Sequence, residues 1–172
     1  MNKKFNLFMI LFTIFILVFT LSLPQILAEE DIIYVDKDYF GTSDGTAEKP
    51  YRTIQSAINC ANEGDIIYIY GGLYEQKVAL DINKKVKIVG GIDQEDTIIY
   101  PKYDMRYLIE ITADEVEVDN INFSDLSDVM ESPIGALMSI STSYNKILNC
   151  NFTVQKTLTS NENNNPGGIY FE

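Results

Sequence analysis

The sequence predicts an all-β chain: a right-handed parallel β-helix of about three to four coils, with an N-terminal capping α-helix and a signal peptide ahead of it. Three observations carry this. Residue types recur at a fixed step of about 29 positions, inside the range of solenoid repeats. Beyond Asp65 the chain reads as short strands rich in Ile, Val, Tyr and Phe, parted by Gly, Asn, Asp and Ser, with no second helical pattern. The single amphipathic helix stands just before those strands, where an open-ended stack needs a cover.

Taken in order, residues 1–28 are set apart from the fold. Lys3 and Lys4 precede a run from Leu7 to Leu23 broken only by Thr13, Thr20 and Ser22, and a small residue, Ala28, follows. This is the pattern of a secretory signal cut between Ala28 and Glu29. An uncleaved membrane anchor is the other reading, and the apolar run is slightly short of the ~20 residues that a spanning helix prefers. Either way the remainder is exported, to the cell surface or the medium, and touches a membrane only through this segment.

Residues 29–64 form the entrance. "DIIYV" (Asp31 to Val35) is a short strand, and "DKDYFGTSDGTAEKP" has the composition of a loop. Thr53 is placed to cap a helix. Ile54, Ala57, Ile58 and Ala61 then fall on one face, and Gly64 is expected to end the helix in a left-handed conformation. A helix this short with one apolar stripe must lie on something.

Residues 65–172 carry the repeat. "VEVDNINFSD" from Val116 aligns with "NKILNCNFTV" from Asn145, so that Val118 meets Ile147, Asn120 meets Asn149, Ile121 meets Cys150, Asn122 meets Asn151 and Phe123 meets Phe152. The same step sets "LIEI" (Leu108 to Ile111) over "LMSI" (Leu137 to Ile140), and a slightly longer one brings in "IYFE" from Ile169. A step of about 30 back sets "VKIVGG" from Val86 against "VEVDNI" from Val116. Equal steps place like on like, about 4.8 Å apart. Phe123 should stack on Phe152, and Asn120 with Asn149 should form an amide ladder at a bend. "GGIYFE" stops inside a strand, so further coils or another chain are expected at that end.

Composition narrows the chemistry. Thirteen basic against 25 acidic residues leave a net charge of −12, which makes nucleic acid a poor partner. The chain has no histidine, which excludes Ser-His-Asp and Cys-His catalysis and His-ligated zinc. Cys60, on the cap, and Cys150, in a late coil, lie too far apart for a disulfide and are expected to be buried free thiols.

The stretch "GTAEKPYRTIQSAINCANEGDIIYIYGGLYEQKVALDINKKVKIVGGIDQEDTII" resembles the entry module of the pectate-lyase-like superfamily: a Gly-Thr loop, Pro, an aromatic, Thr-Ile, a helix, Gly-Asp, a strand, Gly-x-Tyr and an x-Ile-x-Gly strand. The resemblance is close over about Ile33 to Ile99 and generic beyond. In this chain Glu75 follows Tyr74 directly, one place early. The resemblance implies the β-helix fold and an activity among lyases, esterases, hydrolases and adhesin-like proteins without known chemistry. The esterase branch has a Gln before Ala-Leu and Gln-Asp-Thr-Leu after Cys-x-Phe. Here "SPIG" precedes Ala136, and Lys156 stands where the acid belongs, a role that an ammonium cannot fill. The lyase branch needs Ca²⁺-binding carboxylates and a Lys or Arg base. Asp93, Glu95 and Asp96, then Asp114, Glu115, Glu117 and Asp119, then Asp125, Asp128 and Glu131 are the candidate acids, with Lys102 and Arg106 as bases, and none forms a signature. Asp36, Asp38 and Asp44 are expected to order the entrance loop.

Two loops, "DLSDVMESP" (Asp125 to Pro133) and "KTLTSNENNNPG" (Lys156 to Gly167), interrupt equivalent places and should emerge on one side, so Asp125, Asp128 and Glu131 are the candidate binding residues. "NFS" at Asn122 and "NFT" at Asn151 match glycan-acceptor sequons and are expected to serve the turns. The functional expectation is an exported, adhesin-like protein, structural or binding an extracellular polysaccharide or cell-surface glycan, with no catalysis, cofactor or metal site. The alternative is a Ca²⁺-dependent polysaccharide lyase.

Overall fold

The computed structural model describes residues 9, 11–16, 30–103, 105–124, 136–153 and 167–171, the last five by backbone alone. Thirteen strands and one complete helix are present among them. The strands are β1 (Ile32–Val35), β2 (Ile66–Ile69), β3 (Gly72–Gln76), β4 (Leu80–Ile82), β5 (Lys87–Val89), β6 (Thr97–Pro101), β7 (Tyr107–Ile111), β8 (Glu117–Asp119), β9 (Asn122–Ser124), β10 (Ala136–Ile140), β11 (Lys146–Leu148), β12 (Asn151–Thr153) and β13 (Gly167–Phe171). The helix, α1, is Ile54–Cys60.

The strands form three sheets, every pairing parallel: β1-β2-β5-β8-β11, β3-β6-β9-β12 and β4-β7-β10-β13. From β2 onward the chain visits the first, second and third sheets in turn and repeats the circuit, so each strand pairs with the one three places later in the chain. The repeated step is the cause. Lys87 pairs with Glu117 and then Lys146, Ile88 with Val118 and Ile147, and Phe123 with Phe152. Ile109 pairs with Met138 and Ile111 with Ile140. The Phe123 and Phe152 rings stack at 5.0 Å between centroids and 24° between planes. The first circuit takes a shorter step, with Ile66 against Lys87 and Gly72 against Thr97. At the last circuit the expected alignment is one position out. Met138 pairs with Ile169 and Ile140 with Phe171. Since side chains alternate across a strand, one position exchanges the faces.

The interior between the sheets is apolar. Ile67, Ile69, Ile82, Ile88, Ile99, Ile111, Val118 and Phe123 are buried, each on the inward side of its strand. The helix covers the first circuit. Thr53 caps it, its hydroxyl accepting from Ser56 N at 3.2 Å, and Ile54, Ala57 and Ile58 are buried on the face that meets β1, β2 and β4. Gln55 closes the free edge of β4 by accepting from Asp81 N at 2.9 Å and donating to Asp81 O at 3.2 Å. Its side-chain amide thereby takes the place of a neighbouring strand, the usual remedy for an open edge.

Several expectations change. The helix ends at Cys60 with an extended Ala61 as its cap, three residues before Gly64. Its last carbonyls are taken up by Lys84, whose ammonium donates to Ile58 O, Asn59 O and Ala61 O. A cation there also suits the helix dipole. Gly64 is left-handed (φ 96°) in the turn leading into β2. The cysteines are free, but Cys60 is exposed and Cys150 half-buried. Cys60 lies off the apolar stripe of α1. Cys150 sits over buried Ile121. Asn120 and Asn149 do occupy left-handed bends (φ 56° and 50°), yet their amides do not pair with each other. Asn120 Nδ2 donates to Gly90 O at 2.9 Å, and Asn149 Nδ2 to Asp119 Oδ1 at 2.8 Å. Each thus ties its own circuit to the preceding one. A Cβ at Gly90 would lie 2.5 Å from Asn120 O, so only glycine fits under that bend. The sequon residues Asn122 and Asn151 are strand residues paired in β9 and β12, outside the bends.

Candidate functional site

The expected binding residues Asp125, Asp128 and Glu131, and most of the second loop, lie outside the described residues. The backbone does place both insertions. Ser124 pairs with Thr153 and Ala136 with Gly167, so both leave and rejoin the sheets at equivalent positions. They occupy the passage from the second sheet to the third, which lengthens along the stack through 77–79, 102–106, 125–135 and 154–166.

Of the remaining candidate acids, Glu115 and Glu117 line one groove, and Asp93, Asp114 and Asp119 are held in local hydrogen bonds. Asp93 Oδ1 accepts from Gly71 N and Glu95 N. Asp114 accepts from Ser143 N, and Asp119 from Asn149. Of the candidate bases, Lys102 pairs with Glu75 at 2.8 Å and Arg106 lies 5.4 Å from the Tyr107 ring centroid. In the entrance loop Asp36 accepts from Asp38 N and Asp44 from the Thr46 amide and hydroxyl, as loop-ordering residues should. The Thr46 bonds hold the Asp44 carboxyl below its usual pKa. Among the described residues no three acids or cysteines gather in a way that could hold a metal ion, and no helix is long and apolar enough to cross a membrane.

What the structure brings together is a groove of about 770 Å³ along the corner where the third sheet passes into the first. Four successive circuits line it with equivalent stretches: Gly64 and Ile66, then Lys85-Val86-Lys87, Glu115-Val116-Glu117 and Tyr144-Asn145-Lys146, with Glu30 beside them. The register of the first sheet causes this, because Ile66, Lys87, Glu117 and Lys146 pair in series on its outward side. Val86 and Val116, buried at 2% and 0% exposure, form an apolar floor. Asn145 extends it, accepting from Val116 N at 2.8 Å and donating to Thr142 Oγ1 at 2.9 Å.

Two of the groove's three glutamates pair with its three lysines. Lys85 pairs with Glu115. Glu117 sits between two lysines, at 2.6 Å from Lys87 and 3.2 Å from Lys146. The hydrogen bond from Lys87 chiefly, and that from Lys146, hold the Glu117 carboxyl below the usual range against partial desolvation. The same contacts raise the lysines, Lys85 through Glu115 and Lys87 through Glu117.

Among the described residues one aromatic side chain, Tyr144, lines the groove, and others lie elsewhere on the first sheet and its neighbours. Tyr34 and Tyr68 pair across β1 and β2 on the outward side, their rings 5.8 Å apart and edge to face, with Tyr70 at 6.4 Å from Tyr34. Tyr74 is the one buried tyrosine among those described. It donates to Tyr70 O at 2.9 Å, and burial pushes its pKa upward. The acid clusters of the sequence include Glu115 and Glu117 of this groove but not the lysines that face them. The groove's signal was the series Lys87, Glu117, Lys146 at equivalent repeat positions, visible once the repeats are aligned. Comparison with protein-family models, with curated proteins and with solved structures finds no match.

Proposed function

We propose that this chain is an exported right-handed parallel β-helix of the pectate-lyase-like superfamily, on its adhesin-like, non-catalytic branch, and that the axial groove binds a carbohydrate chain. The architecture is supported by the cyclic order of the three parallel sheets and the near-constant step between paired strands. Right-handedness follows from the strong preference of parallel crossovers for that hand. Export is supported by the basic start and the apolar run before Ala28.

One observation carries the binding reading: equivalent positions on each of four successive circuits line one continuous groove, although the side chains at those positions differ. Neighbouring parallel strands lie about 4.8 Å apart, close to the length of one sugar unit in an extended polysaccharide. A polymer laid along the axis therefore meets the lining of one circuit per unit. An apolar floor, hydrogen-bonding walls and the ring of Tyr144 suit sugar rings, which have apolar faces and polar edges.

The test has two arms. Purified protein is run through native gels containing soluble polysaccharides, where retardation reports binding. It is also incubated with polygalacturonate and calcium while unsaturated product is followed in the ultraviolet. Retardation without product is expected. Sustained turnover would replace this reading with the lyase, and mobility unchanged in every polysaccharide would remove the binding function.

A further inference from the structure

Resting on the carbohydrate reading, we infer that the groove selects an uncharged saccharide chain and that Tyr144 is the residue on which a sugar ring stacks. Two independent features lead there. The first is the balance of charge. The groove holds three lysines, Lys85, Lys87 and Lys146, against three glutamates, Glu30, Glu115 and Glu117. Every lysine is already in an ion pair with a glutamate of the same groove. A polyanion such as a uronate chain would have to break those pairs and approach a chain of net charge −12. A polycation would find Glu115 and Glu117 already paired. A neutral chain needs neither exchange, and its hydroxyls can accept from the lysines and donate to the glutamates without separating them.

The second feature is Tyr144 itself. It stands at a left-handed bend, φ 62°, with 83% of its surface exposed. That backbone conformation favours Gly or Asn and is unfavourable for a bulky residue. The other left-handed residues described besides glycine are Asn120, Asn149, Gln94 and Glu115, the last at the equivalent position one circuit back (φ 58°), where its carboxylate is engaged by Lys85. Tyr144 is therefore a costly residue for its bend, and no burial compensates. Strain held at an exposed position beside a groove marks a residue kept for contact with something else. An aromatic ring at the groove wall provides the flat apolar surface that the face of an uncharged pyranose covers.

The experiment uses the whole chain and three proteins: wild type, Tyr144→Asn and Glu117→Gln. Each is measured by gel retardation and calorimetry against a neutral β-linked glucan or mannan and against polygalacturonate without calcium. Wild type is expected to bind the neutral polymer at least tenfold more tightly than the acidic one. Tyr144→Asn should lose at least fivefold in affinity for the neutral polymer while its Tm rises, because Asn relieves the bend. Glu117→Gln frees Lys87 and Lys146 and should gain affinity for polygalacturonate, with the gain disappearing in high salt. Preference of the wild type for polygalacturonate would overturn the inference and leave carbohydrate binding standing. So would undiminished binding by Tyr144→Asn. Failure of wild type and both variants to bind any polymer would overturn the carbohydrate reading itself.

Discussion

Truncating Phe123 tests the stacking of like on like most directly. Phe123 is fully buried, its ring lies 5.0 Å from that of Phe152, and on its other side it is in register with Ile99. Phe123→Ala therefore removes a whole buried ring and leaves a cavity between two circuits, which costs about 3–5 kcal/mol. Phe152 makes the same stack but is only half-buried, so Phe152→Ala should cost roughly 1–2 kcal/mol. The stack belongs to both residues. The double variant should then be less destabilised than the sum of the singles, by a coupling of about 0.5–1.5 kcal/mol. Urea unfolding followed by circular dichroism gives all three values. For a chain of this size Phe123→Ala should also lower Tm by roughly 10 °C. Additivity of the two changes within about 0.3 kcal/mol, or equal costs for the two singles, would refute the in-register stack.

Other consequences follow from single contacts. Asp65 is 2% exposed and accepts from Asn62 N at 2.7 Å and Asp31 N at 3.2 Å. Asp65→Ala leaves both amides without that acceptor and should cost about 2–3 kcal/mol in urea unfolding, and Asp65→Asn less. Asn120→Ala should cost about 1.5–3 kcal/mol, from the lost bond to Gly90 O and a left-handed alanine, whereas Asn120→Gly loses only the bond and stays below that range. The depressed Glu117 carboxyl predicts a pH effect. Its folded pKa lies below the unfolded value of about 4.3, so its contribution is present above that pH and is lost as pH falls through the folded value. Wild type should lose more stability than Glu117→Gln between neutral pH and the acid range, as measured by thermal melts across pH.

The order of the parts was legible in the sequence because it rests on local and periodic signals. The Thr53 cap, the stripe Ile54-Ala57-Ile58 and the turn from helical to strand patterning are set by neighbours in the chain. The pairing of Phe123 with Phe152 and of Val118 with Ile147 follows from a constant step. Position Ile169 shows the limit of that method. The inserted stretch after Phe152 changes the step, and a repeat of four mostly apolar letters does not fix parity.

What only the tertiary structure decided are the partners of side chains that bridge circuits. Lys84 reaches back to three carbonyls of α1, Gln55 reaches forward to the edge of β4, and Asn120 bonds a glycine carbonyl in place of another amide. Such contacts depend on the distance and direction between residues 23 to 30 positions apart, and composition carries neither. The groove belongs to the same class. Its lysines and glutamates look like ordinary solvated charges in the sequence, and only the stacking of four circuits lines them up into one neutral surface.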